Sequence, residues 1–314
     1  MGPHMIYRDV INAAKLLSTT LIVWLFCGST ASADGWDPTS KSSNRDSIVN
    51  TRHNLTQSYL PNGFAGFMDY SRNNYGEVCV YCHTPHGASG QVDAPLWNRT
   101  INTEAYQLYG QALTSGQTPL QPGSSSLTCL SCHDGTIAID SVINMPGSGG
   151  YLASQETSQS ESFLDGWTNA SGIQTIDHGV MWSSASGYFV GPYNCNRCHT
   201  EGNVWGIPDF AVFNIGEDLS NDHPIGVTLP SGSPDFKLSS TISANRFEFF
   251  DENGNTKADT NEIRFYFNGS DYRVECASCH DPHGVAPSAG AEMYPSFLRK
   301  SNVYSALCLT CHIK

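Results

Sequence analysis

Cys79-Val80-Tyr81-Cys82-His83 decides how this chain is read, because the pattern returns four more times. The other copies are Cys129-Leu130-Ser131-Cys132-His133, Cys195-Asn196-Arg197-Cys198-His199, Cys276-Ala277-Ser278-Cys279-His280 and Cys308-Leu309-Thr310-Cys311-His312. Cys-x-x-Cys-His is the attachment signal of c-type haem. Two thiols one helical turn apart can both reach the vinyl groups on one porphyrin edge. The imidazole that follows then lies beneath the iron. The five copies use ten of the eleven cysteines. Zinc is an alternative, but it usually takes two Cys pairs per ion. Five disulfides in an exported chain are another. Neither explains why His follows every second Cys. The expectation is five covalently bound haem c groups, with His83, His133, His199, His280 and His312 as proximal iron ligands.

Eleven histidines are present. Five lie in the motifs, and His4 precedes an export signal. The remaining five are His53, His86, His178, His223 and His283. Five irons and five spare imidazoles predict His on both faces of every iron. Surface placement is the alternative for any one of them. Bis-His ligation lacks the Met that raises potential in mobile cytochromes c, so low-potential, six-coordinate haems are expected.

His86 follows His83 by three residues in Cys82-His83-Thr84-Pro85-His86-Gly87. It cannot swing to the opposite face of the same macrocycle, so it must reach a different haem. His283 stands in the same relation to His280 in Cys279-His280-Asp281-Pro282-His283-Gly284. Each short segment therefore clamps two haems close together. His178 and His223 each follow an Asp, Asp177 and Asp222. Either Asp could cap a turn or accept an imidazole N–H.

Residues 1–33 read as a signal peptide: Arg8 and Lys15, an apolar run over 16–27, then Ala31-Ser32-Ala33. That run is short for a membrane span, and bulky Phe26 before Cys27 argues against a lipoprotein. Gly2-Pro3-His4-Met5 resembles a cloning remnant, and His4 is assigned no role. Residues 34–314 form the expected pentahaem cytochrome c domain. Removing Arg8, Lys15 and Asp9 leaves 14 basic and 28 acidic residues, a net charge of about −14. That argues against nucleic acid and anionic membrane surfaces as partners. No membrane span is expected once the signal is removed.

The domain is rich in Gly, Ser, Asn and Thr, with few long apolar periods. The expected fold is an irregular, loop-rich multihaem cytochrome with short helices and a few short strands. The haem stack serves as its core. Residues 144–175 read as a surface loop. The last motif is followed only by Ile313 and Lys314, which predicts its haem at one end of the molecule.

Residues 251–262 resemble a calcium loop, with Asp251, Asn253, Asn255, Asp259 and Glu262 as oxygen ligands. The glycine falls at position four instead of six. The flanks, 247–250 and 263–267, read as strands, so a polar β-hairpin tip is the alternative.

The words around the motifs are more specific than the motifs. Cys79-Val80-Tyr81-Cys82-His83-Thr84-Pro85-His86, Pro95-Leu96-Trp97-Asn98-Arg99, Cys129-Leu130-Ser131-Cys132-His133-Asp134-Gly135-Thr136, Asp222-His223-Pro224-Ile225 and Cys276-Ala277-Ser278-Cys279-His280-Asp281-Pro282-His283 carry the likeness. With them the chain resembles the outer-surface multihaem c-type cytochromes that polymerise into extracellular nanowires, the OmcE and OmcS kind. The resemblance implies bis-His haems, loop-rich subunits and one axial His that crosses to a neighbouring subunit. It also implies extracellular electron transfer without catalysis, and a secreted, cell-surface location. The implied partners are other copies of the chain, other cytochromes as electron donors, and extracellular electron acceptors. Five haems depart from the four or six of better-known members, and Cys195 lacks a family-like flank. His86 is expected to ligate the C-terminal haem, at Cys308 and Cys311, of the next subunit. A soluble periplasmic electron carrier and a pentahaem reductase are the alternatives, and the reductase needs an iron with an open position.

Overall fold

The computed structural model describes residues 48–56, 71–145, 178–181, 195–197, 199–200, 211–230, 233–237, 241–289 and 291–313. All lie within the unit Gly35–Lys314. The expected signal peptide, Asp177, Cys198 and nearly all of the 144–175 loop fall outside these residues.

The chain is loop-rich, with short helices and one small antiparallel sheet. Each described Cys-x-x-Cys forms a helical turn. Two of these are α-helical: α1, Ser124–His133, and α2, Cys276–Cys279. Three are single 3-10 turns, at Val78–Tyr81, Cys195–Arg197 and Cys308–Thr310. A helical turn is what brings the two sulfurs of a motif to one side.

No side chain of its own caps the start of α1. Its cap comes from a distant residue: the Gly123 N–H donates to both Glu275 carboxylate oxygens, at 3.2 and 3.1 Å. At the other end, Gly135 adopts φ +77°, a left-handed stop that a Cβ would disfavour.

The sheet runs β1 (Ile242–Ser243), β2 (Phe247–Phe249), β3 (Arg264–Phe267) and β4 (Tyr272–Arg273), each antiparallel to the next. Phe247 pairs with Tyr266 and Phe249 with Arg264. The two strands expected around the acidic loop are therefore β2 and β3.

Apolar burial is divided among small clusters. One gathers Tyr75, Val80, Tyr81, Val142 and Met145 around Cys82. A second holds Tyr106, Leu130 and Leu219. A third places Phe250, Ile263 and Phe265 beside Cys311. Among the most deeply buried side chains are Arg72, Arg99, Asn98, Glu262 and Glu275. Among the described residues, no helix is long and apolar enough to cross a membrane.

One supersecondary unit occurs twice. Residues 79–99 and 276–300 share it, and matching atoms make matching bonds. Asn98 N–H donates to Cys82 O at 2.9 Å, and Arg299 N–H to Cys279 O at 2.8 Å. Thr84 N–H reaches Leu96 O and Asp281 N–H reaches Phe297 O, both at 2.8 Å. His83 bridges Trp97, and His280 bridges Leu298. Leu96 and Phe297 both take the left-handed conformation, at φ 55° and 57°. In each unit the chain doubles back and lays an extended segment along the motif histidine.

Candidate metal centres

Among the described residues, three pairs of imidazoles stand at similar spacing. Ring centroids are 6.2 Å apart for His53 and His133, 6.1 Å for His83 and His283, and 6.4 Å for His223 and His312. Two imidazoles bound trans to one metal, with bonds of about 2 Å, have centroids roughly 6.2–6.4 Å apart. Direct ring stacking would be closer, as in His53 on Phe297 at 4.3 Å. Each pair joins one motif histidine to one histidine outside a motif. The spacing suits an iron atom between them.

The ring nitrogens agree with that geometry. His83 Nδ1 lies 3.0 Å from Pro95 O, His133 Nδ1 2.6 Å from Phe213 O, and His280 Nδ1 2.7 Å from Ser296 O. His53 Nδ1 faces Pro282 O at 3.4 Å, and His223 Nδ1 faces Pro224 O at 3.0 Å. A carbonyl oxygen can only accept, so Nδ1 carries the hydrogen and Nε2 keeps its lone pair. His178 and His283 reach carboxylates instead, Asp140 at 2.7 Å and Asp281 at 3.1 Å. Fixing Nδ1–H orients the ring and makes Nε2 a better metal ligand.

Burial favours the neutral form of several of these rings. It pushes His53 down to about 4, with the neighbouring His133 adding to the effect. His133, His83 and His280 are lowered by burial as well. His283 is raised, because it hydrogen-bonds Asp281.

The motif sulfurs approach one another across motifs. A hydrogen bond between the Cys129 and Cys276 sulfurs pushes the first thiol up and pulls the second down. Burial raises Cys82 to about 12, and Cys132 adds to the shift. Burial also raises Cys279 to about 12, with Cys311 contributing. The Cys129 and Cys276 motifs therefore meet at their sulfurs, while Cys132 and Cys311 are near enough to Cys82 and Cys279 to act on their charge. The Cys195 N–H donates to Val180 O at 3.0 Å, which brings that motif beside the His178 segment.

His283 stands across from His83, a histidine of another motif, while His280 belongs to its own motif, the arrangement that the expected clamp of the 276–283 segment requires. The expected match of His86 with the C-terminal motif is different here, because His223 stands opposite His312. His86 is exposed, and no imidazole of a described residue lies across from it or from His280. Asp222 does not accept from His223, whose ring turns to Pro224 O. His178 uses Asp140, 38 positions upstream, which no local spacing could have revealed. The carbonyls of Pro95, Phe213 and Ser296 were equally invisible, because backbone acceptors leave no sequence signature.

The loop joining β2 to β3 brings its acidic and amide groups together. Asn253 Nδ2 and Asn255 Nδ2 both donate to Asp259 Oδ2 at 2.7 Å. Asp251 accepts the Asn255 and Thr256 N–H groups at 3.1 and 2.9 Å. Glu262 is buried and turns the other way, accepting Glu252 N–H at 2.8 Å and Asp259 N–H at 3.0 Å. The loop thus closes on its own hydrogen bonds. Among the described residues, no group of three or more His, Cys, Asp or Glu side chains converges as a metal site.

No protein-family model matches the chain, and no curated protein matches it.

Proposed function

We propose that the protein carries electrons through five closely packed bis-His c-type haems, and that copies of it assemble into an extracellular filament. The observation that carries this reading is the set of three imidazole pairs at 6.1–6.4 Å. Each described ring in those pairs with a carbonyl or carboxylate at Nδ1 keeps Nε2 for the metal. When bound, each haem supplies a one-electron iron couple. The chain's residues do the rest. Ten cysteines attach the groups, and paired imidazoles close both faces of each iron against substrate. The meeting of the Cys129 and Cys276 sulfurs supports neighbouring sites near enough for tunnelling, whose rate falls exponentially with edge separation.

His86 supports assembly. It is exposed, and the ring of His280 faces no second imidazole among the described residues. We place His86 on the iron of His280 in a neighbouring copy, so that ligation joins subunits end to end.

The test is made on the exported holoprotein. An alkaline pyridine spectrum should count five haems per chain, and negative-stain microscopy should show fibres. His86→Ala should leave the haem count intact, abolish fibres and create one high-spin iron. Fibres with fully low-spin iron in that variant would remove His86 from the interface. Monodisperse wild-type particles would favour the periplasmic carrier.

A further inference from the structure

The doubled unit contains one turn in two versions, His83-Thr84-Pro85-His86-Gly87 and His280-Asp281-Pro282-His283-Gly284. Both close on a left-handed glycine, Gly87 at φ 65° and Gly284 at 83°. They differ in what they hold. In the second turn the Asp281 carboxylate fixes the ring: its Oδ1 accepts the His283 N–H and the Nδ1–H, both at 3.1 Å. In the first, Thr84 takes the place of Asp281 and holds only the main chain. Its hydroxyl donates to His86 O at 2.9 Å. Among the described residues, no side chain holds the His86 ring, which is exposed.

A second anchor reaches the same turn from 58 positions away. Asn144 Nδ2 donates to His86 O at 3.0 Å and to Gly87 O at 2.8 Å. A Cβ on Gly87 would lie 3.0 Å from that nitrogen, so this approach needs glycine. Beside Gly284 the neighbour is Met293, which has no donor to offer. Asn144 is itself tied to the first motif through the buried Asn98. Asn98 Oδ1 accepts the Asn144 N–H at 2.8 Å, and its Nδ2 donates to Asn144 O at 2.8 Å and to Val80 O at 2.7 Å. His283 thus has a fixed ring that stands across from His83 in its own chain. His86 has a fixed main chain and a ring left to turn.

We propose that Asn144 and Thr84 are positioning residues that present His86 to the iron of a second copy of this chain. This rests on the assembly reading above. A ligand on a loose loop loses main-chain freedom when it binds, and that loss weakens binding. Here the bonds to His86 O and Gly87 O remove that freedom in advance. Only the two side-chain torsions of His86 are left to settle on ligation.

The experiment is fibre assembly of the exported holoprotein, read by light scattering against protein concentration. Asn144→Leu removes the amide donor at similar size, and Thr84→Val removes the hydroxyl. Each should raise the critical concentration about fivefold. Free imidazole competes for the same iron position, so less of it should dissolve the variant fibres. Thr84→Ser keeps the hydroxyl and should assemble like the wild type. A merely structural role would instead lower the denaturation midpoint of imidazole-dispersed subunits and leave the imidazole requirement unchanged, which overturns the proposal. If Asn144→Leu yields no holoprotein, the Thr84→Val and Thr84→Ser pair decides. An unchanged critical concentration in either loss variant, while His86→Ala still abolishes fibres, sinks this proposal alone. Fibres that survive His86→Ala, or a wild type that never assembles, sink the assembly reading and this one together.

Discussion

Ser126 and Glu275, 149 positions apart, hold each other in a reciprocal grip: Ser126 Oγ donates to Glu275 Oε2 at 2.5 Å and accepts the Cys276 N–H at 2.9 Å. The grip joins the start of α1 to the start of α2. It also explains why the Cys129 and Cys276 sulfurs meet. Glu275→Ala should strand the Gly123 N–H and the Ser126 hydroxyl, destabilising the fold by about 1–3 kcal/mol. Chemical denaturation of the holoprotein measures it.

The same carboxyl gives a pH test. Burial raises Glu275 above the usual glutamate value. The folded chain then binds this proton more tightly than the unfolded one. Stability from this group is fully present below the ordinary value and declines as pH rises through the raised one. Glu275→Gln should flatten that part of the stability profile. A slope unchanged in the variant would assign the dependence elsewhere.

Gly123 is held to glycine by contact. A Cβ there would lie 2.7 Å from Glu275 Oε1 and 3.2 Å from its Cδ. Gly123→Ala should cost roughly 1–2 kcal/mol, because the Glu275 carboxylate must shift and alanine caps a helix less well than glycine. Combined with Glu275→Ala, the cost should be less than additive, since the clash disappears with the carboxylate. Full additivity in denaturation midpoints would rule the contact out.

Imidazole planes predict a spectrum. The His83 and His283 planes are 13° apart, whereas His53/His133 and His223/His312 cross at 72° and 75°. Parallel planes split the two iron d orbitals that point between the ligands, and crossed planes leave them nearly degenerate. Oxidised protein should therefore show a rhombic low-spin signal together with strongly anisotropic ones. A single rhombic species for all haems would contradict these pairings.

Glu262 serves as a staple for the β2–β3 loop. Glu262→Ala should destabilise the fold by about 1 kcal/mol, by taking the acceptor from the partly buried Glu252 and Asp259 N–H groups. The carboxylates and amides of this loop already satisfy one another, so return of calcium after chelation should leave Tm unmoved. A rise in Tm that Asp251→Asn with Asp259→Asn abolishes would put the ion in this loop.

The five motifs were legible because the covalent haem attachment proposed above would demand a fixed local spacing, from Cys79 to His83 and at each repeat. The strands flanking residue 251 showed in their aromatic and β-branched runs. Partner choice was hidden, because His223 meets His312 through a fold whose contacts are long-range. The doubled unit was hidden as well. Pro95-Leu96-Trp97-Asn98 and Ser296-Phe297-Leu298-Arg299 share backbone bonds and a left-handed residue, but almost no side-chain identity.

The thiols of Cys82 and Cys279, raised to about 12, carry a consequence for biogenesis. A closed chain keeps them protonated and poorly nucleophilic. On the proposed function, attachment of haem at these thiols would precede tertiary closure. Folding would then be the final act of maturation, and a chain that closed early would be a dead end for its own assembly.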